Sequence, residues 1–126
     1  VYKRVWDKTL TKRYVEYPFP AWFYGFLAGG SKLIDGRELM IHELQAEAWT
    51  PDGYEIKTGP LEELHKSMNP ERLENRFDYA RASGIKRMDL WGVEWWYAMK
   101  VNRDQPGLWN TAVDEFEAAR EHNEKL

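Results

Sequence analysis

The chain has 126 residues, 18 Lys and Arg against 21 Asp and Glu, a formal net charge of −3, no Cys, 43% hydrophobic and 31% charged residues. This is the profile of one globular domain, not of a disordered or membrane-spanning chain, and it excludes a disulfide framework, thiol catalysis and Cys-based zinc sites. Charges of both signs are mixed along the chain, which leaves no basic footprint for nucleic acid, and the composition does not fix a compartment. A domain of this size buries roughly two-thirds of its unfolded surface, enough for a core without staples. Aromatic residues reach 15%, with seven Trp and seven Tyr. Flat amphipathic rings beyond core needs point to a binding surface, and sugars are the natural ligand class.

Val1 to Trp6 alternates in period two, with Val1, Lys3 and Val5 on one face and Tyr2, Arg4 and Trp6 on the other, which predicts a strand. It begins without Met and without a charged-then-apolar leader, and reads as cut from something longer. After the polar stretch Asp7 to Glu16, Tyr17-Pro18-Phe19-Pro20 opens a helix over Ala21 to Leu33, closed by Asp35-Gly36. Trp22, Phe23, Tyr24, Phe26 and Leu27 make that helix apolar nearly all round, so it is expected to pack on both sides. Leu39-Met40-Ile41 is a short apolar run, expected as a strand covered on both faces, with His42 and Glu43 at its C-terminal end. Leu44 to Met68 lacks periodicity and reads as a long loop of the functional kind, with a short helix near Leu61 to His65.

Asn69-Pro70-Glu71 is a helix start, Leu73, Phe77 and Ala80 form its apolar stripe, and Gly84 stops it. Arg87 to Gly92 reads as a strand, and Val93 to Lys100 as a turn or short helix in which at least one of Trp95, Trp96 and Tyr97 is core. Trp109, Ala112, Val113 and Phe116 predict a last helix running into the charged tail Arg120 to Lys125. Strand and helix alternate three times. The expected fold is one α/β domain over residues 1–126 with parallel strands, since parallel neighbours need crossovers.

In parallel α/β folds, active groups gather at the C-terminal ends of strands. That rule selects Tyr2, Arg4 and Trp6 near the first strand end, His42, Glu43 and Glu47 with Trp49 at the second, and Trp91 with Glu94 and Trp95 at the third. Carboxylates at strand ends ringed by indoles suit glycoside hydrolysis, which needs a carboxyl pair astride the anomeric carbon. Strand alternation turns His42 away from Glu43, into a packing or hydrogen-bonded layer. Glu47 either lines the site or orients a partner. Glu94 either binds substrate hydroxyls or pairs with Arg87 or Lys100. His42-Glu43-x-x-x-Glu47 lacks the second His of the zinc motif, so neither metal nor cofactor is expected.

Ile41-His42-Glu43-Leu44-Gln45 resembles the seventh-strand nucleophile motif of retaining glycoside hydrolases with a (β/α)8 barrel, the clan that includes cellulases and xylanases. Trp91 is similar to the eighth-strand Trp that floors the sugar subsite there. The strings Glu43 to Trp49 and Asp89 to Tyr97 resemble a poorly characterised bacterial branch of that superfamily. The resemblance spans the chain, with Val1, Leu39 and Met88 opening the sixth, seventh and eighth strands, and implies the last three β/α units of a TIM barrel. It assigns Glu43 the nucleophile role and Trp91 the floor of the sugar subsite, and Trp49 and Trp6 are expected as further stacking platforms for a β-linked oligo- or polysaccharide. A whole barrel takes about 250 residues, and the clan's Asn-Glu acid/base pair has no counterpart before Val1. The chain is thus expected to be inactive alone, as the C-terminal part of a barrel, and to associate through open sheet edges. The alternative is a non-catalytic structural, interaction or carbohydrate-binding domain.

Overall fold

The computed structural model describes residues 1–124; Lys125, the end of the expected charged tail, lies outside the described residues. The elements are β1 (Arg4–Asp7), β2 (Arg13–Glu16), α1 (Ala21–Asp35), β3 (Ile41–Gln45), α2 (Leu61–Ser67), α3 (Pro70–Ser83), β4 (Met88–Trp91), α4 (Val93–Arg103) and α5 (Gly107–Glu124). The fold is mixed α/β. β3 and β4 pair in parallel across the α2–α3 crossover, β1 and β2 form a separate antiparallel hairpin, and among the described residues no barrel closes.

The first expected strand is therefore divided. Val1 alone runs beside β3: its amino group donates to the Glu43 carbonyl, and its own carbonyl accepts the Gln45 N–H at 2.9 Å. This is the slanted bonding of a parallel neighbour. Beyond it the backbone leaves the sheet, because the Gln45 side-chain Oε1 takes the N–H groups of both Lys3 and Arg4 at 2.9 Å. Residues 4–7 then pair with β2 through a turn that the Asp7 carboxylate organises, accepting the N–H groups of Thr9, Leu10 and Thr11 and the Thr11 hydroxyl. That turn hides in the polar stretch, where the sequence suggests only a connection.

The second strand begins two residues later than Leu39, so Glu43 sits within β3 and not past its end. Its register slips between Ile41 and Leu44, three steps on β3 matching the two from Met88 to Leu90 on β4. Such a bulge breaks the two-residue alternation and re-aims side chains. Ile41 and Leu44, which a regular strand would place on opposite faces, both enter one apolar cluster with Ala80. Of the two settings expected for His42 the hydrogen-bonded one is found: exposed at the bulge, its Nδ1 lies 3.0 Å from an Asp89 carboxylate oxygen.

α3 forms where its signals stand: Asn69 accepts the Arg72 N–H at 2.8 Å, Pro70 opens the helix, and Gly84 ends it in the left-handed region. Its stripe of Leu73 and Phe77 meets Leu64 and Met68, Trp95, Trp96 and Met99 of α4, and Leu108 and Ala112 of α5 in the main core. Full burial of side chains of this size contributes about 1.5–3 kcal/mol each. Both Trp95 and Trp96 are core, and each indole N–H is satisfied, by the carbonyls of Ile56 and Ala46 respectively, both at 2.6 Å. The connection 46–60 is thereby held to α4, and Arg103 Nη1 adds a bond to the Gly59 carbonyl at 2.7 Å.

α1 departs from expectation. It extends to Asp35 with no buried residue. One side approaches α3, so closely that a Cβ on Gly25 would lie 2.5 Å from the Ser83 carbonyl oxygen. The other side carries Trp22, Phe26, Leu33 and Ile34 into solvent, the last two 88% and 82% exposed.

Candidate functional site

The selected side chains lie along the parallel pair and the segments that follow its strands, with Glu43 in the middle of β3. Tyr2, in the segment that follows the Val1 contact, donates its hydroxyl to Glu43 Oε2 at 2.7 Å. The same ring meets Trp49 edge-on at 5.0 Å between centroids. Tyr2 and Trp49 line a groove of about 560 Å³ together with Trp6, Asp7, Thr50 and Asp52. The Trp6 ring is itself steadied edge-on by Tyr14 at 5.3 Å. Grooves of this volume, walled by rings with a few polar groups, suit small-molecule or oligomer binding.

Glu47 is fixed from the next strand. The Trp91 indole Nε1 donates to Glu47 Oε1 at 2.9 Å, while half of the indole stays open to solvent. Backbone closeness makes this reach possible: the Ala46 N–H bonds the Trp91 carbonyl at 2.9 Å, and Gly92 lies so near that an added Cβ would come within 2.6 Å of the Ala46 carbonyl oxygen. With φ at 150°, Gly92 also holds a conformation that side chains disfavour.

The electrostatics couple these groups. Burial pushes the Glu47 carboxyl up from 4.5, the Trp91 hydrogen bond opposes this by favouring the anion, and the charge of Glu94 raises it further. The Tyr2 phenol is raised above 10.0, chiefly by its hydrogen bond to Glu43, then by burial and by the charges of Glu43 and Glu47. Both carboxylates therefore act on one phenol. Glu43 is left with one oxygen oriented by a donor, and Glu47 is a carboxyl that keeps its proton to higher pH than an exposed one. An oriented carboxyl group, Glu43, and a second one with a raised pKa, Glu47, thus flank one phenol.

Contacts or shared fields thus bring together Tyr2, Glu43, Trp49, Glu47, Trp91 and Glu94, with Trp6 farther along the groove. Glu94 is exposed at the start of α4 and is in ion-pair contact with neither Arg87 nor Lys100, whose ammonium sits over the Trp109 ring instead. The residue that sequence reasoning overlooks is Gln45. Fully buried, it accepts from Lys3 and Arg4 and donates to the carbonyls of Arg4 and Glu47 at 2.7 and 3.2 Å, so one amide holds both the Tyr2 segment and the Glu47 segment. A polar residue at the end of an apolar strand is the only signal for it. Among the described residues no group of three or more acids and His is placed to hold a metal ion, and no helix is long and apolar enough to cross a membrane. No family model, curated protein or solved structure matches the chain.

Proposed function

We propose that the chain is a glycoside-hydrolase-like segment in which Glu43 is the nucleophile-strand carboxylate and Tyr2, Trp6, Trp49 and Trp91 contact a β-linked glycan. The observation that carries this reading is the Tyr2 hydroxyl on Glu43 Oε2, beside an aromatic groove. The phenol orients the carboxylate toward an anomeric carbon, and the indoles supply apolar faces for sugar rings. Retention of configuration requires a second carboxyl about 5 Å away as acid and then base. In this reading that group comes from the remainder of a (β/α)8 barrel, Glu47 and Glu94 serve binding, and the chain by itself turns over no aryl β-glycoside.

An activated glycosyl fluoride, whose leaving group needs no proton, tests the nucleophile separately from the missing acid. A deactivated 2-fluoro sugar of that type is expected to add one glycosyl unit to the peptide containing Glu43, and none in Glu43→Gln. Oligosaccharide titration is expected to shift tryptophan emission in the wild type and not in Trp49→Ala. Absence of both label and shift overturns the proposal; turnover of an aryl glycoside by the chain alone would relocate the acid to Glu47 or Glu94. A second reading, a non-catalytic interaction domain, is favoured by the open apolar side of α1. A shift without any label decides for a binding module.

A further inference from the structure

α1 presents a surface that the candidate site does not use. Trp22, Phe26, Gly29 and Leu33 recur at spacings of four, three and four, which sets them on one stripe of the helix, with Gly30 and Ile34 along its border. Trp22 and Phe26 are 66% and 70% exposed, and Leu33 and Ile34 still more. None of these residues is charged; the helix carries only Lys32 and Asp35, and Lys32 lies 4.0 Å from Glu38. The glycines of α1 differ in what surrounds them. Gly25 lies where α3 approaches, whereas a Cβ on Gly29 or Gly30 would meet no described atom within 4 Å. Glycine inside a helix lowers its stability relative to alanine, and no contact within the chain accounts for this pair. On the stripe the two glycines leave a notch, with rings on its N-terminal side and aliphatic side chains on its C-terminal side.

The face is large enough for a dimer. At about 200 Å² for an aromatic side chain and about 100 Å² for a Leu or Ile, the exposed parts of Trp22, Phe26, Leu33 and Ile34 give roughly 400 Å² of apolar surface per copy. Homodimer interfaces are about 65% apolar, so two such faces correspond to roughly 1,300 Å² of total contact, within the range of about 1,200–2,000 Å² that specific interfaces bury. A two-fold interface must also complement itself, residue i meeting j while j meets i. The stripe satisfies this about a point between Gly29 and Gly30. Run antiparallel, two copies set Phe26 of each against Leu33 of the other and bring the glycines face to face, with no charge on the seam and the helix dipoles opposed. We propose that α1 is the contact of a two-fold dimer of this chain, in which two antiparallel copies cross at Gly29 and Gly30. The dimer does not depend on the glycan reading, and its contact is a helix face, apart from the sheet edges.

The chain has no Cys, so introduced cysteines report the geometry under mild oxidation. Gly30→Cys, beside the two-fold axis, is expected to give a disulfide-linked dimer, because a crossing at glycines brings the two Cα atoms within the roughly 7 Å that a disulfide spans. Leu33→Cys alone lies about 10 Å along the helix from its mate, at 1.5 Å per residue, and is expected not to link, whereas Phe26→Cys combined with Leu33→Cys is expected to link. In sedimentation equilibrium the wild type is expected to dimerise. Gly29→Leu, which fills the notch, is expected to weaken the dimer at least about tenfold without lowering the unfolding midpoint measured at monomeric dilution, since its Cβ has open space within its own chain. Leu33→Cys linking as fast as Gly30→Cys overturns the antiparallel register. A wild type that stays monomeric throughout the micromolar range overturns the proposal, as does Gly30→Cys linking no faster than Leu10→Cys, whose side chain is exposed in the hairpin turn. An assembly that Gly29→Leu leaves unchanged assigns association to another surface and overturns it too.

Discussion

Glu47 carries the pH signature of the candidate site. Its carboxyl is raised by burial, lowered by the Trp91 indole and raised by Glu94. Trp91→Phe, which deletes the donor but keeps a ring, is expected to move the Glu47 titration upward, and Glu94→Gln to move it downward, both read by carbon NMR of the carboxyl. Because the folded value lies above 4.5, Glu47 favours folding most below 4.5, and this contribution fades as pH rises through the folded value. Asp7 has the opposite sign. Its carboxyl is held at about 2, against 3.8, by the Thr11 hydroxyl and the turn's N–H groups. Its contribution is complete above 3.8 and is lost as pH falls toward 2, so Asp7→Asn is expected to remove part of the acid limb of the stability profile. Gln45→Leu leaves the Lys3 and Arg4 donors without their acceptor and is expected to cost about 2–4 kcal/mol in urea unfolding. That acids and indoles cluster around β3 and β4 was legible in the sequence, from Glu43, Glu47, Trp49 and Trp91. Their pairing was not: which of Tyr2 or Trp91 meets which acid depends on the bulge and on the path that Gln45 imposes on residues 3 and 4.

At the scale of elements, legibility followed the locality of the signal. α3 is written within its own residues, a capping Asn69, Pro70 and a terminal Gly84, and it appears where those residues predict. Asn69→Ala is expected to lower stability by about 1 kcal/mol in denaturant melts, the usual worth of an N-cap. The hairpin was hidden because its turn is closed by a side chain, Asp7, and not by an Asn-Gly or Asp-Gly pair. The displacement of β3 has a similar origin. Leu39 and Met40 supply the apolar letters but remain largely exposed, and the paired residues are Ile41 to Gln45. The β4–α4 junction depends on a glycine with no room for a side chain. Gly92→Ala is expected to part Trp91 from Ala46, and with it the indole from Glu47, seen as a rise in the Glu47 titration together with a lower unfolding midpoint.

For the whole molecule, a mixed α/β class with β3 parallel to β4 was legible from alternation, whereas the antiparallel hairpin and the extent of the sheet were not, because closure depends on strands paired at long range. β3 and β4 form the parallel pair, the backbone at Val1 borders it, and the outer face of α1 remains open. Contiguous apolar surface of this kind favours association, as do unpaired sheet edges. Sedimentation of the isolated chain is expected to show species larger than the monomer, and Phe26→Glu, on the exposed side of α1, to shift them toward monomer; a monomeric wild type across micromolar concentrations would contradict the open-edge reading. The connection from Ala46 to Pro60 illustrates a different property. It has no regular structure, yet Trp49, Ile56 and Gly59 are tethered through Ser67, Trp95 and Arg103. A protease must draw several residues of extended chain into its cleft, and here that means pulling three anchors at once. Trypsin should therefore spare Lys57 until global unfolding, and a segment that looks like a hinge would behave as a strut.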